Sequence, residues 1–126
     1  MWWKIIIVFM GGGIGATLRY GATLLATRCC GEGIAGTLAV NTLGCLALGA
    51  LYGGMQGRTV ACLGEDARLF IAVGFLGALT TFSTFNWEII SLLRVGRYGW
   101  GAAYFALSMA LGLLCSSLGY YLTHSK

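Results

Sequence analysis

The residues best placed to do chemistry in this chain are polar ones set inside long apolar stretches. The densest group is Gly74-Phe75-Leu76-Gly77-Ala78-Leu79-Thr80-Thr81-Phe82-Ser83-Thr84-Phe85, where two glycines run into the hydroxyls Thr80, Thr81, Ser83 and Thr84. Neither glycine nor threonine favours an unbroken helix, and hydroxyls can satisfy backbone groups freed where a helix in lipid is interrupted. The run predicts a discontinuous helix, broken between about Gly77 and Thr81, whose free carbonyls and N–H groups can bind ions where they line a cavity. The alternative is a continuous helix whose small residues simply pack. Phe82 and Phe85, three apart, share a helix face. An aromatic edge is electropositive and would assist a small anion, although a pair at this spacing is ordinarily core or lipid-facing.

Further polar residues fall on the other apolar stretches. Thr37 and Asn41 are four apart and share a face; the asparagine amide is either a strong donor for an ion or interhelical glue worth roughly 1 kcal/mol. Tyr104, Ser108 and Ser116 recur at multiples of four, with Gly112 at the missing step. Such a stripe can hand a desolvating ion from hydroxyl to hydroxyl, or hydrogen-bond neighbouring helices. Arg19 is the one cation within an apolar stretch, able to snorkel or to draw anions to a vestibule. Glu88 and His124 sit near stretch ends, where a polar head reaches water. No nucleophile–base pair, paired acids or phosphate loop is present, so an enzyme is not expected. Gly11-Gly12-Gly13-Ile14-Gly15-Ala16 matches a dinucleotide fingerprint formally, but no strand precedes it and no βαβ unit surrounds it. The five cysteines, Cys29, Cys30, Cys45, Cys62 and Cys115, have no metal-ligand spacing.

The elements that carry these residues follow from composition. Of 126 residues, 58% are hydrophobic and 10% charged, whereas soluble domains carry roughly 45–50% and about 25%. The net charge of +4 comes from basic residues scattered singly, which gives no footprint for nucleic acid. A spanning helix needs about 20 mostly apolar residues, and the charges divide the chain into four such stretches, residues 5–27, 33–56, 69–93 and 99–123. The expected fold is an all-α integral membrane protein: one domain, residues 1–126, of four transmembrane helices with both termini on one side. Trp2 and Trp3 read as interfacial anchors, and no cleaved signal is expected at Met1-Trp2-Trp3-Lys4. Gly11-x-x-x-Gly15 and Gly49-x-x-x-Gly53 fit close helix packing.

Lys/Arg bias between loops sets orientation, and here it nearly balances. One side holds Lys4, Arg58, Arg68 and Lys126; the other holds Arg28, Arg94 and Arg97, with Arg19 toward that end. Either the chain inserts both ways and pairs antiparallel with itself, or features other than charge fix one orientation. Four short helices enclose little space, and an antiparallel dimer would supply the inverted symmetry on which transport sites are often built.

Three segments carry a family resemblance. Gly12-Gly13-Ile14-Gly15-Ala16-Thr17-Leu18-Arg19-Tyr20 resembles the first-helix motif of the CrcB/Fluc fluoride channels, ending in arginine plus an aromatic. Gly36-Thr37-Leu38-Ala39-Val40-Asn41-Thr42-Leu43-Gly44 resembles the second-helix motif, and residues 74–85 resemble the long third-helix signature. The resemblance covers the whole chain. It implies an antiparallel, dual-topology homodimer with two pores, in the bacterial inner (plasma) membrane, that exports fluoride passively and excludes chloride. It implies a sodium ion at the dimer centre on the backbone carbonyls of Gly77 and Thr80, and a fluoride pathway past Asn41, Phe82, Phe85, Ser83, Thr84, Tyr104 and Ser108, with Arg19 near the vestibule. Gly112 departs from the family by standing where a hydroxyl can extend the fourth-helix track. A small multidrug exporter, the nearest rival, needs an acid in its first helix, where this chain has Arg19. A purely structural membrane subunit would leave the run at 74–85 unexplained.

Overall fold

A segment inside lipid has to satisfy its own backbone, so long apolar stretches wind into helices. In the computed structural model the chain forms α1 (Trp2–Cys30), α2 (Ile34–Gln56), α3 (Glu65–Arg68), a π-helical segment (Leu69–Leu76), α4 (Gly77–Leu79), α5 (Phe82–Arg94) and α6 (Tyr98–His124). The structure describes residues 1–57, 60 and 63–124. Arg58 and Lys126 from the charge count, and Cys62, lie outside the described residues.

Four stretches, Trp2–Cys30, Ile34–Gln56, Glu65–Arg94 and Tyr98–His124, are long and apolar enough to cross a membrane. The helices overrun the apolar stretches at several ends because charged and aromatic residues at an interface continue a helix without penalty. Gly31 (φ 78°) ends α1 in the left-handed conformation, its N–H closing on the Thr27 carbonyl, and Gly96 (φ 76°) turns the chain before α6. At one end of the bundle Lys4 pairs with Glu65 while the Trp3 indole donates to Asp66. At the other end Arg97 pairs with Glu32 and lies over the Trp100 ring. Both ion pairs are exposed and hold the ends only weakly.

Helices associate in lipid by close packing rather than by burying apolar area. A Cβ at Gly11 would meet the Phe70 carbonyl and one at Gly15 would run into that of Phe75, so α1 seats directly on the backbone of the third span. Gly49 and Gly53 do the same for α2 against Ser116 and Tyr120 of α6, and Gly119 returns the contact against Leu46. Packing thus accounts for both glycine pairs read from the sequence. The small core is Phe85, Leu92 and Tyr104, with Ile34, Leu38 and Ile89 around it. Trp2, Phe9, Leu25, Leu113 and Leu122 point outward, as an apolar exterior requires.

The third span is the irregular one. Its π-helical stretch ends with the Gly77 N–H reaching back to the Ala72 carbonyl, a winding that proteins use rarely. One α-helical turn later the helix stops. Thr80 (φ −81°, ψ 154°) and Thr81 (φ −148°, ψ 123°) are extended, and helix resumes at Phe82.

Candidate functional site

Around this interruption the backbone is bound by side chains. In an unbroken helix the Thr81 N–H would bond to the Gly77 carbonyl. Instead it donates to Asn41 Oδ1 at 2.7 Å, and Asn41 Nδ2 donates to the Thr81 carbonyl at 3.0 Å. Both edges of the amide therefore grip one residue of the interruption, and the Gly77 carbonyl loses its ordinary helical donor. An Nδ2 carries two hydrogens, so one remains for another acceptor. Asn41 does the interhelical work of glue and keeps a donor in reserve.

The two half-helices are finished locally. Thr80 closes α4, with its N–H and hydroxyl both donating to the Leu76 carbonyl at 3.1 and 3.0 Å. Thr81 caps α5 as a hydroxyl N-cap does, accepting from the Thr84 N–H at 3.2 Å and donating to Thr84 Oγ1 at 3.0 Å. The Ser83 hydroxyl lies on the exposed side, 3.4 Å from that of Thr81. On the α1 side, Arg19 Nε donates to the Ala78 carbonyl at 3.1 Å. Sequence reasoning set Arg19 between interface and vestibule; its described contact is with the end of α4.

Asn41, Gly77, Thr80 and Thr81 border a groove of ≈400 Å³ open on one side, together with Phe82, Phe85, Ser108 and apolar side chains; Arg19, Ser83, Thr84 and Tyr104 are outside its lining. The two phenylalanines part company. Phe82 is 72% exposed, whereas Phe85 is 2% exposed and packs near edge-on to Tyr104, centroids 5.2 Å apart and planes inclined by 65°. The hydroxyl stripe on α6 divides as well. Ser116 donates to the Cys45 carbonyl at 3.3 Å, an interhelical bond. The Ser108 hydroxyl is buried near the Tyr104 hydroxyl without a hydrogen bond of good geometry, an expensive condition for a polar group.

Glu88 corrects the sequence reading, which left it near a helix end reaching for water. Its two carboxylate oxygens accept from Thr37 and from the Tyr104 hydroxyl, each at 2.7 Å, and Thr37 is fully buried. The reason is rotational: α5 starts afresh at Phe82, which turns residue 88 inward toward α2 and α6. An acid in an apolar stretch, with hydroxyls on two neighbouring stretches, was the available signal. Among the described residues no three His, Cys, Asp or Glu side chains gather as metal ligands.

Four apolar spans, one interrupted and gripped by an asparagine beside a groove, define a small multi-pass membrane protein. A family model described as CrcB-like protein, Camphor Resistance (CrcB), matches residues 6–120. The chain belongs to this family. It is 40% identical over 108 residues to the fluoride-specific ion channel FluC of Methylobacterium nodulans, covering 86% of each chain. It is 38% identical over 117 residues to the protein of that name from Nitratidesulfovibrio vulgaris, covering 92% of this chain and 93% of the relative. With the FluC of Thermus thermophilus it shares 40% over 121 residues, 94% of each. In bacteria a protein of this kind resides in the inner membrane.

Proposed function

We infer that the chain is a fluoride-selective channel, a transporter rather than an enzyme, that lets fluoride leave the cell passively. One observation carries the reading: Asn41 both holds the interruption and keeps a spare N–H at the groove, in a chain whose relatives at 38–40% identity are named fluoride-specific ion channels. Fluoride is small and holds water tightly, so a dry path has to replace that water with close donors. The spare Asn41 N–H and the Ser108 hydroxyl are such donors. The Phe82 edge adds weak attraction, and the positive end of α5 starts at Thr81 and Phe82 in the groove lining, with Ser83 and Thr84 following in its first turn. Weak donors in series suit conduction, which needs an ion held well enough to enter and loosely enough to leave. Glu88 takes up the Tyr104 proton donor, so Tyr104 acts as a fixed wall beside Phe85, with Ser108 the next hydroxyl along α6.

A groove open on one side does not enclose a path. We take the second wall to be another copy of the chain, inserted the opposite way, which the near balance of Lys and Arg permits; the interruption then falls near mid-membrane. Backbone carbonyls suit a hard monovalent cation, and Gly77 has lost its helical donor while Thr80 is extended. Gly77 and Thr80 of each copy would hold a sodium ion, which would supply positive charge against the cost of an anion in lipid. A proton-coupled exporter is disfavoured because α1 has no acid. The test is efflux from liposomes containing the purified protein, with fluoride and chloride electrodes in parallel. Fast fluoride release with little chloride release is expected; no release from folded protein would overturn the reading.

A further inference from the structure

The Arg19 side chain ends on a backbone carbonyl. Its Nε bonds to Ala78 O at 3.1 Å in a half-buried contact, and among the described residues it makes no ion pair. The sequence places it there by one turn of helix: Gly15 seats α1 on the backbone of Phe75 and Leu79, and Arg19 follows four residues on. In an unbroken helix the Ala78 carbonyl would take the Phe82 N–H. The extended Thr80 and Thr81 remove that donor. A helix end leaves such carbonyls orphaned and partially negative, and a cation beside them is favoured.

We propose that Arg19 is a positioning residue that fixes the shape of the third-span interruption by holding the Ala78 carbonyl, opposite the grip of Asn41 on Thr81. The interruption is thus held from both neighbours: α1 takes the carbonyl end of the first half, and α2 takes the start of the second. A charge acting only by drawing anions to the protein works at long range and is screened by salt. A half-buried hydrogen bond is screened far less. The flux arm of the test rests on the channel reading; the exchange arm does not.

The experiment compares wild type and R19Q in lipid nanodiscs and in liposomes. Amide exchange across residues 79–84 should quicken by about tenfold in R19Q, the loss of one charge-assisted bond, while α2 and α6 stay unchanged. Fluoride efflux should fall by about tenfold, with the fluoride-to-chloride ratio falling too, and both changes should persist at about 0.5 M salt, where exposed charges are screened. R19K, which offers one charged donor without the guanidinium geometry, should recover part of the loss. Wild-type exchange across 79–84, or a flux loss that salt abolishes, overturns the proposal. A wild type that passes no fluoride would sink the channel reading, and the exchange arm would still decide the role of Arg19. Should R19Q not survive as folded protein, NMR of the wild-type Arg19 Nε–H decides: slow exchange supports the contact and fast exchange overturns it.

Discussion

Helix α2 meets α6 and the third span by opposite means. Along α6 the backbones come close together, with Gly49, Gly53 and Gly119 each seated against the other helix's backbone. At the third span the contact is a side-chain amide on an extended peptide, Asn41 on Thr81. The first contact is close backbone packing, joined by side-chain bonds such as that of Ser116 to the Cys45 carbonyl. The second uses part of a polar group and leaves the rest free beside the groove. Glycine packing holds α2 and α6 together, while the spare donors, Asn41 on α2 and Ser108 on α6, stand at the groove beside the interruption.

The comparison breaks most violently at the glycine seam. Gly119→Leu would drive a side chain into the Leu46 carbonyl and the Ala50 N–H. Overpacking of this kind costs about 3 kcal/mol or more, so folded, monodisperse protein should be lost in size-exclusion chromatography. Asn41→Asp comes next, because it keeps the shape while setting an acceptor against the Thr81 carbonyl. Leaving that carbonyl unpaired costs about 1–3 kcal/mol, and the new negative charge opposes an anion. Fluoride efflux should fall by about 100-fold, the rate equivalent of the upper end of that cost, in protein that still elutes as folded. The phenylalanines sharpen the contrast. Phe85→Leu opens the Tyr104 contact and should lower stability by about 1–2 kcal/mol in thermal unfolding. Phe82→Ile, at an exposed position, should shift stability by less than about 0.5 kcal/mol yet reduce flux several-fold.

Some of this was legible from residues alone. Charge spacing located the four stretches because a span is a matter of length and hydropathy, both local properties. The glycine–hydroxyl run contains the two extended threonines because their propensity against helix is local too. Partners across helices were not legible, since they depend on how each helix is rotated. The π-helical winding at Leu69–Leu76 resets that rotation, and the fresh start at Phe82 resets it again. Face-sharing at three and four residues put Phe82 and Phe85 together, but did not say that one would be core and the other open. Nor could spacing place Glu88 between Thr37 and Tyr104, or Arg19 on Ala78.

The mildest perturbation discriminates most finely. Ser108 and Ser116 stand eight residues apart on one face of α6 and look alike in sequence, yet only Ser116 closes a well-formed interhelical bond. Ser116→Ala removes an interhelical bond and should cost about 0.6 kcal/mol, the usual worth of such a bond in a membrane protein, with fluoride flux unchanged. Ser108→Ala deletes a buried hydroxyl without a well-formed bond, so stability should hold or rise slightly. Its flux should nevertheless fall about two- to fivefold, a loss of roughly 0.4–1 kcal/mol of stabilisation for the passing ion. Thermal unfolding and liposome efflux measured on both variants give a crossed pattern: one loses stability without flux, the other flux without stability. If both variants lose stability alone, the α6 stripe is glue along its whole length, and the division between sealed and receiving faces of the groove has to be redrawn.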